Sequence, residues 1–136
     1  MNDPSARPIR LLLVDCQPAI RRGLKMRFAL EDDLEVSGET GDAAEAFDLV
    51  HALRPDVIVV DTDMPAGMDT IVLTERLRSA APYSAVVVLT LRDDAVTRER
   101  TLAAGAAAFV AKHRTEGALL ATIRGVAAER RGRSGA

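Results

Sequence analysis

The stretch Val57-Ile58-Val59-Val60-Asp61-Thr62-Asp63-Met64-Pro65 decides the fold. Its first four residues are apolar and β-branched, the pattern of a short strand buried on both faces. An ionised carboxylate cannot follow such a run into the core without a large desolvation cost, so Asp61 is expected at the rim of a site.

The same arrangement recurs along the chain. Ile9 to Val14 ends in Asp15, Ala85 to Leu89 ends in Thr90, and Ala106 to Ala111 ends in Lys112. Periodicity places strands near 9–14, 34–38, 56–61, 84–90 and 107–111, and helices near 18–31, 43–54, 69–80, 94–104 and 115–130. Gly41-Asp42 precedes the second helix, Pro55 follows it, and Gly105 closes the fourth. Strict βα alternation with apolar strands argues for a parallel sheet covered on both faces by right-handed crossovers, a three-layer α/β sandwich. In a parallel sheet the two acids, the hydroxyl and the ammonium share one edge. Ligands gather beyond the carboxyl ends of strands where strand order reverses, and the acid ends of the first and third strands should be neighbours there.

Size and composition narrow the possibilities. At 136 residues and 14.6 kDa the chain suits one compact domain, taken as 9–130, with an N-terminal arm over 1–8 and a flexible tail or start of a linker over 131–136. A net charge of −2 gives no global electrostatic reason for a nucleic-acid partner, and Arg130, Arg131 and Arg133 read as a solvated helix end. Cys16 is the single cysteine, which excludes an internal disulfide and a zinc-type cysteine cluster; a reducing cytoplasm fits best. No signal core or bilayer-length apolar run is present, so no membrane association is expected. The end of the chain after Ala136 leaves two readings open, a complete single-domain protein or a module cut from a longer one. An enzyme of hydrolase or nucleotide-binding type is disfavoured: there is no Gly-x-Ser-x-Gly elbow and no Walker-type loop, and His51 sits on a helix as a surface residue.

The four strand ends suit one chemistry. A carboxylate can accept a phosphoryl group as a nucleophile when the meeting charges are offset, and such transfer depends on positioning and electrostatic stabilisation. Asp61 is the candidate acceptor, Lys112 the fixed cation and Thr90 a hydroxyl able to bond a phosphoryl oxygen. Sixteen arginines against two lysines make Lys112 an unusual choice for this chain, and a compact ammonium suits a phosphate site as a point charge. Taken alone, Lys112 reads better as a lysine capping a strand end in solvent; the other three strand ends tip it to the functional reading.

Here the residues reach a family pattern. Leu11-Leu12-Leu13-Val14-Asp15, Pro55 to Asp61 with Met64-Pro65, Val88-Leu89-Thr90 and Gly105 to Lys112 resemble the receiver domain of bacterial two-component response regulators. The resemblance covers about residues 9 to 130, and Gln17-Pro18-Ala19-Ile20-Arg21-Arg22-Gly23-Leu24 with Ala118 to Ala128 brings it closest to the NarL/FixJ (LuxR-type) subfamily. It implies a flavodoxin-like sandwich with strand order 2-1-3-4-5. It also implies Asp61 as phosphoacceptor, Thr90 as switch hydroxyl, Lys112 as phosphate-pairing lysine and Phe109 as aromatic switch, although Phe109 reads equally well as a core aromatic. Asp15, Asp61 and the backbone carbonyl of Asp63 match the Mg2+ ligands. The implied partners are a sensor histidine kinase and a second copy of the chain as a homodimer. DNA would be reached only through a C-terminal domain, since no helix-turn-helix follows residue 130. Any catalysis is limited to self-phosphorylation and autodephosphorylation.

The chain departs from that pattern at one telling position. Cys16 stands where the family carries a second acid, a direct magnesium ligand, and magnesium demands hard oxygen donors that a thiol does not supply. Asp63 either compensates in part or is an ordinary turn acid. The segment Ala66-Gly67-Met68-Asp69-Thr70 looks one residue longer than usual with Thr70 in place of glycine, and His113 replaces a proline, so a cis peptide after Lys112 is not assured. Redox sensing by Cys16 is weighed and disfavoured, because neighbouring carboxylates would raise a thiol's pKa. A phosphorylation-independent atypical receiver, acting as a dimerisation or ligand-binding module, therefore stands as the alternative.

Overall fold

The structure is a computed structural model and describes residues 7–61, 69–90, 95–111 and 116–134. Five strands, β1 (Ile9–Val14), β2 (Leu34–Thr40), β3 (Val57–Asp61), β4 (Ala85–Thr90) and β5 (Ala108–Ala111), alternate with α1 (Pro18–Phe28), α2 (Ala43–Leu53), α3 (Thr70–Ala80), α4 (Ala95–Ala103) and α5 (Glu116–Ser134). The strands form one parallel sheet in the order β2-β1-β3-β4-β5, as the sequence led one to expect.

Strand alternation divides the core in two. Leu11, Leu13, Val57, Val59, Val87 and Leu89 pack with Phe28 of α1 and Leu119, Leu120 and Ile123 of α5. The residues between them, Leu12, Val14, Ile58, Val60, Val86 and Val88, pack with Ala46 and Val50 of α2 and Leu73 and Leu77 of α3. A central strand such as β3 is buried at every position because helices cover both of its faces, which is why its sequence reads as an unbroken apolar run.

The element boundaries differ from the sequence reading by more than one residue in three places. β2 runs on to Thr40 although Ser37-Gly38-Glu39 is polar; it is an edge strand with a register shift against β1 between Leu11 and Leu12, so its middle residues stay half-exposed. α1 stops at Phe28, and the chain turns through hydrogen bonds from Leu30 N to Arg27 O and Glu31 N to Phe28 O. α5 continues to Ser134 rather than ending near 130. Arg131 supplies a reason: its guanidinium donates to the carbonyls of Arg7 (3.1 Å) and Pro8 (3.0 Å) and pairs with Asp56 at 3.3 Å. Arg130 likewise donates to the carbonyls of Tyr83 and Pro82, so Arg130 and Arg131 are fastened to the body rather than simply solvated.

Two local devices prepare the site. Asp69 caps α3, accepting from the Ile71 amide at 2.7 Å, and Thr70 is buried as the first residue of the helix. Asp42 caps α2 by accepting from Ala44 N. Within the described residues no peptide bond is cis, and no helix is long and apolar enough to cross a membrane.

Candidate functional site

Register fixes where the chemical groups meet. Val14 of β1 is paired with Val60 of β3, so Asp15 and Asp61, each one residue further on, are lateral neighbours across strands about 4.8 Å apart. Asp61 is itself paired with Leu89 of β4, and Thr90, the next residue, is paired with Ala111 of β5. Asp15, Asp61 and Thr90 therefore stand in a row at the carboxyl edge of three adjacent strands. All three are buried, at 2%, 1% and 0% exposure. By alternation the two acids leave the sheet on the side of Leu13 and Val59, and Thr90 on the side of Val88, so the row straddles the edge. Lys112 and Asp63 lie outside the described residues, as does His113 with the peptide bond before it; Ala111, the partner of Thr90, is the residue directly before Lys112.

The β1–α1 connection is held by a set of contacts. Asp15 N donates to Thr40 O at 2.9 Å, and Asp15 Oδ1 accepts from the Gln17 amide at 2.8 Å, tying the carboxylate to the start of α1. Arg21, on the second turn of α1, donates through one terminal nitrogen to the Asp15 carbonyl at 2.6 Å and through Nε to Glu39 at 3.1 Å. Lys25 reaches the other oxygen of Glu39 at 2.5 Å. Lys25 first, and Arg21 with it, hold the Glu39 carboxyl below its usual pKa, so Glu39 stays anionic over the physiological range. Gly41 completes the arrangement: a Cβ there would fall 2.8 Å from the Arg21 guanidinium and 3.3 Å from the Asp15 carbonyl. In the sequence Arg21 stands out only as part of the subfamily-like stretch; its partner Glu39 lies 18 residues away, and no local pattern links them.

Cys16 is half-buried and directly follows Asp15. Among the described residues no group of three His, Cys, Asp or Glu side chains is placed to hold a metal ion. Two carboxylates and a thiol fall short of the hard oxygen set that magnesium requires, so the described part of the site does not by itself make a magnesium centre. Phe109 is buried in the α2/α3 side of the core, at 7% exposure, with the Arg98 guanidinium 6.0 Å from its ring centre. His51 is exposed on α2, as expected.

This geometry can be set beside known proteins. Residues 11–124 match the response regulator receiver domain model. The chain belongs to the response regulator receiver domain family. It is 27% identical over 118 residues to the oxygen regulatory protein NreC of Staphylococcus haemolyticus, and 28% identical to that of Staphylococcus aureus, covering 87% of this chain and 54% of each relative. The chain thus spans about half the length of these relatives. Among solved structures, the signal receiver domain of the response regulator NarL from Mycobacterium tuberculosis superposes with a TM-score of 0.77 at 30% identity, over 88% of this chain and 99% of that one. A LuxR-family two-component response regulator from Aurantimonas gives 0.84 at 27% identity, over 90% and 87%. Receivers of this family are signalling domains rather than enzymes, phosphorylated by sensor histidine kinases, and they typically bind Mg2+ at an acidic pocket; LuxR-type regulators bind DNA through a separate C-terminal domain. The chain is a receiver of the LuxR-type response regulators.

Proposed function

We propose that Asp61 is the phosphoacceptor of this receiver. The observation that carries this reading is the row of buried Asp15, Asp61 and Thr90 at the carboxyl ends of adjacent strands. A carboxylate oxygen of Asp61 attacks the phosphorus of a kinase phosphohistidine; the O–P bond forms as the N–P bond breaks, and the imidazole leaves with a proton. Lys112 pairs with the phosphoryl oxygens, Thr90 bonds one of them, and Phe109 follows the hydroxyl. The added charge biases a two-state equilibrium by no more than the difference in its interaction energy with the two states. Self-phosphorylation from a small-molecule donor and autodephosphorylation complete the expected activity.

The relatives' greater length supports a longer regulator around this receiver. A sensor histidine kinase is the donor, the receiver works as a homodimer in the cytoplasm, and control of transcription passes to a DNA-binding domain beyond a linker that follows α5. Acetyl phosphate in magnesium buffer followed by intact-mass measurement tests the core of this reading. An acid-labile phosphoryl adduct is expected on the wild type and not on Asp61→Asn. A wild type that takes no phosphoryl group even from its cognate kinase refutes it.

Cys16 favours a second reading, a receiver that signals without phosphorylation through a static polar cluster. Asp15 and Asp61, with the Asp63 carbonyl, would bind magnesium weakly at best beside a thiol. A magnesium titration followed by calorimetry separates the two: binding gained only on Cys16→Asp supports the phosphorylation-independent module.

A further inference from the structure

We infer that Arg21 is a positioning residue for phosphoryl acceptance, holding Asp15 beside Asp61 by gripping the Asp15 carbonyl and Glu39 at once. The inference rests on the receiver reading above.

Asp61 and Asp15 are positioned by different means. Asp61 is still inside the sheet, paired with Leu89 of β4. Asp15 lies one residue past the last registered pair of β1 with either neighbour, Val14 with Thr40 and Val14 with Val60. Its amide continues the pattern by donating to Thr40 O, but its carbonyl has passed the end of the ladder. A backbone carbonyl on a residue only 2% exposed needs a donor, and the Arg21 guanidinium supplies one at 2.6 Å. Arg21 thus extends the strand geometry of β1 by one residue, which is the residue that must stand beside Asp61.

The guanidinium cannot wander from that post. Nε is fixed on Glu39 at 3.1 Å, Lys25 holds the second Glu39 oxygen, and the bare Cα of Gly41 leaves the room the guanidinium fills. A planar fork is needed to reach a carboxylate and a carbonyl together; a lysine ammonium offers the charge without the second arm. The same grip brings a permanent positive charge to the residue that carries one of two neighbouring buried carboxylates.

Arg21→Lys and Gly41→Ala test this, the second crowding the guanidinium at 2.8 Å and, less closely, the Asp15 carbonyl and Cys16 Cα at 3.3 Å. Two readouts are taken: the rate of Asp61 phosphorylation by acetyl phosphate at saturating donor, and the rate of Cys16 alkylation by iodoacetamide, which reports on the backbone directly after Asp15. Both variants should keep native circular dichroism, lose roughly tenfold to a hundredfold in phosphorylation rate, as misplacement of order 1 Å does, and alkylate faster. Arg21→Lys at wild-type rate in both assays overturns the inference, and so does Gly41→Ala. If Arg21→Lys fails to fold, Arg21→Gln, which leaves the Gly41 turn untouched, decides by the same two assays. If the wild type accepts no phosphoryl group, the receiver chemistry has failed instead, and unchanged alkylation in the variants would then count separately against the grip.

Discussion

The two edges of the sheet handle charge in opposite ways. At the amino edge, acids meet arginines. Arg124 of α5 takes both oxygens of Asp33, at 2.8 and 2.9 Å, and Glu31 at 2.7 Å; Arg27 takes the other Glu31 oxygen at 2.8 Å; and Asp56 receives Arg131 and the amide of Arg10. These groups remain partly wet, with Asp33 and Arg124 side chains 45% and 40% exposed. At the carboxyl edge, two carboxylates are buried side by side on neighbouring strands, and the Arg21 guanidinium grips the backbone of one of them. One edge closes the fold; the other gathers two acids and a hydroxyl where a phosphoryl group and its counter-charges can meet.

The largest effect expected from a single change at the amino edge comes from backbone geometry rather than charge. Gly105, in the turn from α4 to β5, has φ +110°, and a Cβ there would fall 2.8 Å from Arg78 Cγ. Gly105→Ala should cost about 1–3 kcal/mol, as residues forced into such regions do. A urea midpoint indistinguishable from wild type would show that this turn adapts freely and that the ion pairs carry more of the edge than argued.

At the carboxyl edge the sign reverses. Asp61→Asn keeps the shape of the side chain and removes one of the two neighbouring buried charges, so it should abolish phosphorylation yet raise stability by about 0.5–2 kcal/mol, the usual gain when a functional site is relieved. Chemical denaturation with an unchanged m-value reads this directly. A fall in stability would mean that Asp61 contributes to holding the fold, and the contrast between the edges would collapse.

The carboxyl side of this contrast was legible in the sequence and the amino side was not, for physical reasons. The order of elements and the doubly covered sheet follow from apolar runs such as Val57 to Val60, whose burial on both faces leaves no alternation to misread. The gathering of Asp15, Asp61 and Thr90 at one sheet edge was legible because a polar group that ends such a run has one place to go. Edge strand β2 was read short at its carboxyl end because half-exposed positions impose no apolar pattern. The continuation of α5 and the grip of Arg21 were not legible at all. Both depend on arginines meeting partners far along the chain, 124 residues away for Arg131 with Arg7 and 18 for Arg21 with Glu39, and an arginine's sequence neighbours do not say which distant loop it reaches.

The smallest effect tests the amino edge by titration. Arg124 first, through its hydrogen bonds and then its charge, holds the Asp33 carboxyl below its ordinary value of 3.8. A carboxylate whose pKa is lowered by folding stabilises the native state above its unfolded value, and that contribution disappears as pH falls through the folded value. Arg124 stays charged throughout, its own pKa being raised further by Asp33 and Glu31. Asp33→Asn should therefore cost up to about 1 kcal/mol at pH 7, the upper range for a solvent-screened pair. The gap between variant and wild type should persist down to about pH 5 and close below the ordinary value as Asp33 takes up its proton. Denaturation midpoints at intervals from pH 7 to pH 2.5 measure it. A gap that stays constant into strong acid would assign the effect of Asp33 to packing or to its hydrogen-bond geometry. The amino edge would then be held by shape rather than by charge.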